Sequence, residues 1–235
     1  MPPNQMKRHS GYLAAAALAV TVALPGASWA DGARSAWERI RTEDGIVLSR
    51  KEVPGSPFVA FRGEGDVDAP LLAVANVLVD VPHEKEWIDS VVDAKILRRV
   101  SDTEYVVYSH LGTPVTMSDR EFVADVALKL DPPRKAMSIE MRSTTDPSAP
   151  HTSFVRAELE DSVFALTSIE HGTKTHVVAE IHCDPKGSIA AWIVNLFQKS
   201  WGYNTIASLR RQVRRGSAPT EPHLETLLRG AGVVD

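Results

Sequence analysis

The feature that most constrains this chain is the run from Ser188 to Arg215, near its end. Gly202 alone interrupts twenty-eight residues otherwise free of proline and glycine. Ile189, Trp192, Ile193, Leu196, Phe197, Tyr203 and the Ile206–Ala207 pair recur at a spacing near 3.6, with Ser200 on the same side. Such a stripe predicts a long helix with one apolar face, which must be buried against another element. The chain upstream predicts what covers it. From Val91 onward the pattern is one of successive strands, placed near 92–100, 103–111, 120–130, 136–143, 152–159, 163–170 and 174–183. Asp131-Pro132-Pro133, Asp146 to Pro150 and His171-Gly172-Thr173 punctuate them as turns. Phe122, Ala124, Val126, Leu128 and Leu130 alternate with more polar neighbours, as do Val177, Ala179, Ile181 and Cys183, which marks half-buried antiparallel strands.

Before the meander the reading is a short opening helix over Ala33 to Thr42, a turn at Glu43-Asp44-Gly45, and strands at Ile46–Val53 and Phe58–Val67. A helix then follows Pro70, through Leu71, Leu72, Val74, Ala75, Leu78 and Val79, and a shorter one opens at Pro82 and contains Trp87. Residues 217–235 read as a loose tail with a short helix at Leu224 to Leu228. The order argues for an α+β fold with the helices segregated from one curved antiparallel sheet. Aromatic residues make up 6% of the chain, too few on the inward strands to fill the space between the sheet and a long helix, which hints at a cavity.

The first thirty residues read as an export signal. Lys7 and Arg8 precede the twelve-residue apolar run Leu13–Leu24, Pro25 and Gly26 break it, and Ser28-Trp29-Ala30 offers small residues before Asp31. Twelve residues fall short of the roughly 20 that span a bilayer as a helix. The expectation is a leader at 1–30, a single domain at 31–216 and a tail at 217–235, exported and, in a Gram-negative host, periplasmic. The net charge is −4 and becomes more negative once the basic leader is removed. An acidic chain lacks the basic face that nucleic acid demands. Cys183 is the single cysteine, so no internal disulfide forms and Cys-x-x-Cys chemistry is excluded.

Asp184-Pro185-Lys186-Gly187-Ser188-Ile189-Ala190-Ala191-Trp192-Ile193-Val194-Asn195 resembles the strand-to-final-helix junction of START domains, the StAR-related lipid-transfer family. Four more segments agree in order: Trp37 with Asp44-Gly45-Ile46, Asp80 to Trp87, Ser118-Asp119-Arg120-Glu121-Phe122-Val123, and Val155-Arg156-Ala157-Glu158. The resemblance spans about residues 33–215. It implies a helix-grip fold, a curved antiparallel sheet wrapped around a long C-terminal helix and enclosing a hydrophobic cavity. It further implies lipid binding and transfer without catalysis. Ala190 stands where the family has Pro, and Glu121 where it has Asp. The charged pair of the cholesterol-binding branch falls near Tyr108 or Ser109 and on Val126 here, so it is absent and a sterol is not implied.

The lining expected for such a cavity is Phe122, Ala124 and Val126 on one strand, Tyr108 and His110 on another, and Ile193, Leu196, Phe197 and Ser200 on the helix. Tyr108 and His110 offer hydrogen bonds to a head group; each of these residues is equally readable as plain core or surface. Trp201 and the cluster Arg210, Arg211, Arg214 and Arg215 suit an anionic membrane surface, although cations also simply favour a helix C-terminus. The partners expected are a lipid ligand and a transient membrane surface, with no nucleic acid, for a monomer that needs no cofactor. His176, Glu180 and His182 share one side of a strand, but at roughly 3.3 Å per residue they spread over about 20 Å, too far for one metal ion. No Gly-x-Ser-x-Gly elbow is present, and Gly63-Glu64-Gly65 lacks the rest of a phosphate loop. Arg120, Glu121, Arg156 and Glu158 read as framework ion pairs. A cyclase or hydrolase on the same scaffold is the alternative function.

Overall fold

The computed structural model describes residues 37–88, 90–113, 117–189, 191–216 and 221–235. The leader lies outside them, as do residues 33–36 of the expected opening helix. The remainder of that segment is a strand: β1 (Glu38–Glu43) pairs antiparallel with β2 (Ile46–Lys51). The reason lies in the turn, where Asp44 and Gly45 have φ of 50° and 70°. Two central residues at positive φ make the tight hairpin that Asp-Gly favours, and its twist commits both flanks to strands.

The sheet continues through β3 (Ala60–Val67), then β4 (Val91–Arg99), β5 (Glu104–Leu111), β6 (Arg120–Asp131), β7 (Ala136–Ser143), β8 (Val155–Arg156), β9 (Glu158–Ile169) and β10 (Lys174–Asp184). Its order is β1-β2-β3-β10-β9-β7-β6-β5-β4, with β8 beside β6 in parallel. The last strand therefore returns to β3 and joins the N-terminal hairpin to the meander. The strands expected at 152–159 and 163–170 are instead the two residues of β8 and one long β9. Glu160-Asp161-Ser162 is no turn, because β10 runs alongside it and the ladder absorbs Glu160 as a bulge opposite His182 and Cys183.

The helix α1 (Leu71–Val79) and a 3-10 turn at Val81–Glu86 connect β3 to β4. The helix α2 (Ala191–Arg215) follows β10. The last segment is no loose tail: α3 (Pro222–Gly230) buries Leu224 and Leu228 in the main core, Val233 follows them, and Asn76 Oδ1 accepts the Glu221 N–H at 3.0 Å. Cys183 is buried beside Phe122 and Ala157. Burial, with the nearby Asp184 and Glu160 charges, pushes its thiol up to about 12.

The helix α2 meets the sheet at backbone distance. A Cβ on Gly63 of β3 would lie 2.5 Å from the Gly202 carbonyl oxygen, and one on Gly202 would lie 2.8 Å from the Gly63 nitrogen. Gly202, which costs helix propensity, is there because no side chain fits. Beyond this contact Ile206 packs on Ile46 and Leu48, and Leu209 joins the main core.

The opposite, outer face of β5 and β6 is covered by residues 144–156. Val106, Tyr108 and Val123 pack there against Ala149. Glu121, 3% exposed, accepts hydrogen bonds from Tyr108 Oη at 2.9 Å, Thr152 Oγ1 at 2.8 Å and Arg156 Nε and Nη2 at 3.0 and 2.8 Å. Burial works to raise the Glu121 pKa, but those three donors overcome it and hold the carboxyl below its usual range. Burial and the Glu121 hydrogen bond push Tyr108 up to about 12. Beside them His110 Nε2 meets Asp119 Oδ2 at 2.8 Å, and its ring stacks on Phe154.

Gly63→Ala should destabilise the protein by about 1–3 kcal/mol, since backbone must move to admit the methyl. Gly230→Ala, where nothing lies within 4 Å, should be neutral or slightly stabilising in urea unfolding. Glu121→Gln should cost about 1–3 kcal/mol near neutral pH. A carboxyl whose pKa is lower folded than unfolded stabilises above the unfolded value and loses that contribution as pH falls through the folded one. The gap between wild type and Glu121→Gln should therefore be widest above the ordinary carboxyl value of 4.5 and narrow below it, as read by unfolding curves across pH.

Candidate functional site

Alternation sorts the expected lining residues. Phe122, Ala124 and Val126 lie on the inner face of β6, the face that carries the core toward α2. Tyr108 and His110 do not: both belong to the outer network with Glu121 and Asp119, because Tyr105 and Val107 take the inward positions of β5. Neither can line an interior cavity. Ser200 is half-buried on α2, while the side chains of Ile193, Leu196 and Phe197 lie outside the described residues.

The inner face divides in two. Under the C-terminal half of α2, Leu166, Val177, Ala179, Ile206 and Leu209 are all fully buried. Toward the start of α2, Phe164, Met141, Ile181, Leu159, Leu111 and Ser109 face the same side of the sheet but are only half-buried. One end of the sheet–helix sandwich is solid, and the other leaves apolar side chains reachable. Trp201 belongs to this second region: half-buried, with its ring 6.3 Å from that of Phe164, it faces the sheet and is no outward membrane probe.

Within the reachable half, Ser162 sits directly opposite Met141 of β7 and Ile181 of β10, and is 6% exposed. Its hydroxyl and the Trp87 indole N–H are buried with no hydrogen-bond partner among the described residues. The charges on these strands point the other way. Arg62 pairs with Glu180, Arg142 with Asp161, and His176 with Glu64 and Asp66. His182 lies between Ser56 Oγ at 3.1 Å and Glu160 at 3.0 Å. The three residues read as a possible metal triad are thus each engaged in pairs along the outer face, and the described residues include no group suited to a metal.

The junction that starts α2 is tightly held. Lys186 and Gly187 have positive φ, 49° and 72°, and the Asp184 carboxylate accepts the Lys186 N–H at 2.8 Å. Lys186 Nζ bridges Glu158 at 2.7 Å and Asp184 at 2.9 Å. Arg120, 7% exposed, donates to the carbonyls of Pro185 at 3.2 Å and Lys186 at 3.1 Å, and to that of Ser118. Asn195 Oδ1 accepts the Val59 N–H at 3.3 Å and ties the second turn of α2 to the loop before β3. Asp119, just before β6, accepts the Thr113 N–H, and this bond, with His110, holds its carboxyl below the usual range. Arg120 therefore pairs with backbone rather than with Glu121, and Glu158 with Lys186 rather than Arg156. Sequence spacing had no means of showing those exchanges.

At the other end of α2, Arg210 donates to the carbonyls of Asp66 and Asp44, both at 2.8 Å, and so works as a clamp. Arg211, Arg214 and Arg215 are exposed, with Arg211 bonded to Ser208 and Arg215 to Gln212. A cleft of about 970 Å³ also opens here between α1, the β9–β10 turn, the end of α2 and the C-terminal segment. None of the expected lining residues borders it. Its lining mixes aliphatic side chains, among them Leu72, Val77, Val213 and Val234, with charged ones (Lys135, Glu170, Glu225, Arg229 and Asp235).

Comparison with known proteins agrees with this architecture. The pattern of the START domain matches residues 27–217. A STAR-related lipid transfer protein from Xanthomonas axonopodis superposes with a TM-score of 0.67 at 25% identity, covering 76% of this chain and 98% of that one. Human StAR-related lipid transfer protein 5 gives 0.68 at 23% identity, covering 79% and 89%. An uncharacterized protein of Pseudomonas aeruginosa is 25% identical over 177 residues, 74% of this chain and 85% of the relative. With a curved antiparallel sheet closed by a C-terminal helix, a fold suited to binding lipids or other hydrophobic ligands, the chain belongs to the START domain family.

Proposed function

We propose that this protein is an exported lipid carrier without catalytic activity. It encloses one lipid between the reachable half of the sheet and the first turns of α2, and carries or presents it between membranes. The observation behind this reading is the unequal burial of the inner face: Phe164, Met141, Ile181 and Leu159 stay reachable, whereas the rows under Ile206 and Leu209 are sealed. Apolar surface left accessible inside a fold costs roughly 25 cal/mol per Å², a cost recovered when a ligand covers it. A lipid gains equally, because each CH₂ kept from water contributes about 0.8 kcal/mol.

Transfer requires the enclosure to open. The contacts that would loosen are those at the junction, where Arg120 holds the Pro185 and Lys186 carbonyls and Asn195 holds Val59. The packed half of α2, anchored by Gly202 on Gly63, would stay in place. Arg211, Arg214 and Arg215 supply an exposed cationic end for an anionic membrane, each worth about 1 kcal/mol at such a surface. Arg210 and Trp201 are engaged elsewhere and are not part of that contact.

Native mass spectrometry of the protein purified from its own host should show one lipid per chain, released by denaturation. Purified protein should move that lipid from donor to acceptor vesicles. Protein that is consistently empty and moves nothing would overturn the carrier reading. The N-terminus of protein recovered from the periplasmic fraction should begin at Asp31; a full-length N-terminus in the cytosolic fraction would remove export from the proposal.

A further inference from the structure

We propose that Ser162 is the polar anchor of the cargo and that the cargo is an uncharged lipid carrying a hydroxyl or carbonyl oxygen. This inference rests on the carrier reading above and adds the class of ligand to it. Ser162 is the small residue in an apolar row. It lies across from Met141 and Ile181 and alternates on its own strand with Phe164 and Leu166, all on the inner face. Its hydroxyl is buried with no partner among the described residues. A buried hydroxyl without a hydrogen bond is destabilising. Alanine at this position would avoid that cost, whereas the serine hydroxyl is free to meet an incoming group.

The charge of the surroundings decides the class. Asp125, Glu140, Arg142, Asp161 and Glu180 share these strands and stand on the outer face. Arg120, the buried cation nearest the start of α2, spends its hydrogen bonds on the carbonyls of Ser118, Pro185 and Lys186. A charged head group brought to Ser162 would leave water where no charged side chain of β7, β9 or β10 faces it, a heavy penalty. One neutral oxygen would find a hydroxyl able to donate to it or accept from it.

The test uses phosphatidylcholine vesicles doped with oleyl alcohol, 1,2-dioleoylglycerol, phosphatidylglycerol or hexadecane, incubated with full-length protein and with Ser162→Ala. The protein is then re-isolated and read by native mass spectrometry. Wild type should take up oleyl alcohol or dioleoylglycerol in preference to phosphatidylglycerol. Ser162→Ala should lose that uptake by roughly tenfold, as expected for one net hydrogen bond, and should retain hexadecane as wild type does. The lipid-free Ser162→Ala protein should melt at the same temperature as wild type or higher, because an unpaired buried hydroxyl has been removed.

A lower melting temperature for the lipid-free variant would show Ser162 to be a structural hydrogen-bonder and overturn the anchor. Equal uptake of the neutral lipids by both proteins, or preferred uptake of phosphatidylglycerol, would overturn it while leaving carriage intact. Uptake of no lipid by wild type would overturn both.

Discussion

Two glycines in backbone contact govern the architecture. Without side chains at Gly63 and Gly202, α2 approaches β3 more closely than any Cβ allows, and the rows beyond the contact close completely around Ile206 and Leu209. Dense packing of this kind is intolerant of added volume. The contact also fixes a point on the helix. On its C-terminal side α2 is a structural strut. On the other side its described polar contacts run through Asn195 and the Pro185–Lys186 carbonyls.

Three of the segments that resemble the START family are the segments that hold one another. Arg120 from the 118–123 stretch grips the 184–187 turn, Glu121 from the same stretch binds Arg156, and Glu158 meets Lys186. Their spacing looks arbitrary along the chain because the contacts are long-range, between the start of β6, the β8–β9 region and the junction of β10 with α2. The network sits outside the apolar interior and positions the walls. Its removal would loosen the site without touching a ligand.

Much of the fold could be read from the residues. Period-two alternation identified β10 and the second half of β6, where one face is buried and the other partly exposed, and the stripe from Ile189 to Ala207 identified α2. The errors share a cause. Residues 38–43 are an edge strand, exposed almost throughout, so no apolar pattern marks them; the Asp-Gly turn was the available signal. The long β9 runs through 160–162, where two separate strands were expected on either side, because a bulge accommodates the polar residues there. Tyr108 and His110 were assigned to the interior because a polar aromatic among apolar neighbours suits a cavity. Here the outer face of β5 is itself buried under residues 144–156, so burial alone does not say which side a residue faces. Ser162 gave no signal at all in the sequence: a serine beside Glu160 and Asp161 reads as surface until its strand is paired.

Cys183 has a practical consequence of its own. The thiolate is the reactive form of cysteine, and a thiol raised to about 12 is almost wholly protonated at neutral pH. Shielded by Phe122 and Ala157, this lone thiol is chemically silent while it stays buried. It borders Leu159 and Ile181 in the reachable half. Alkylation of that single thiol would therefore serve as an intrinsic clock, timing how often this corner of the molecule breathes.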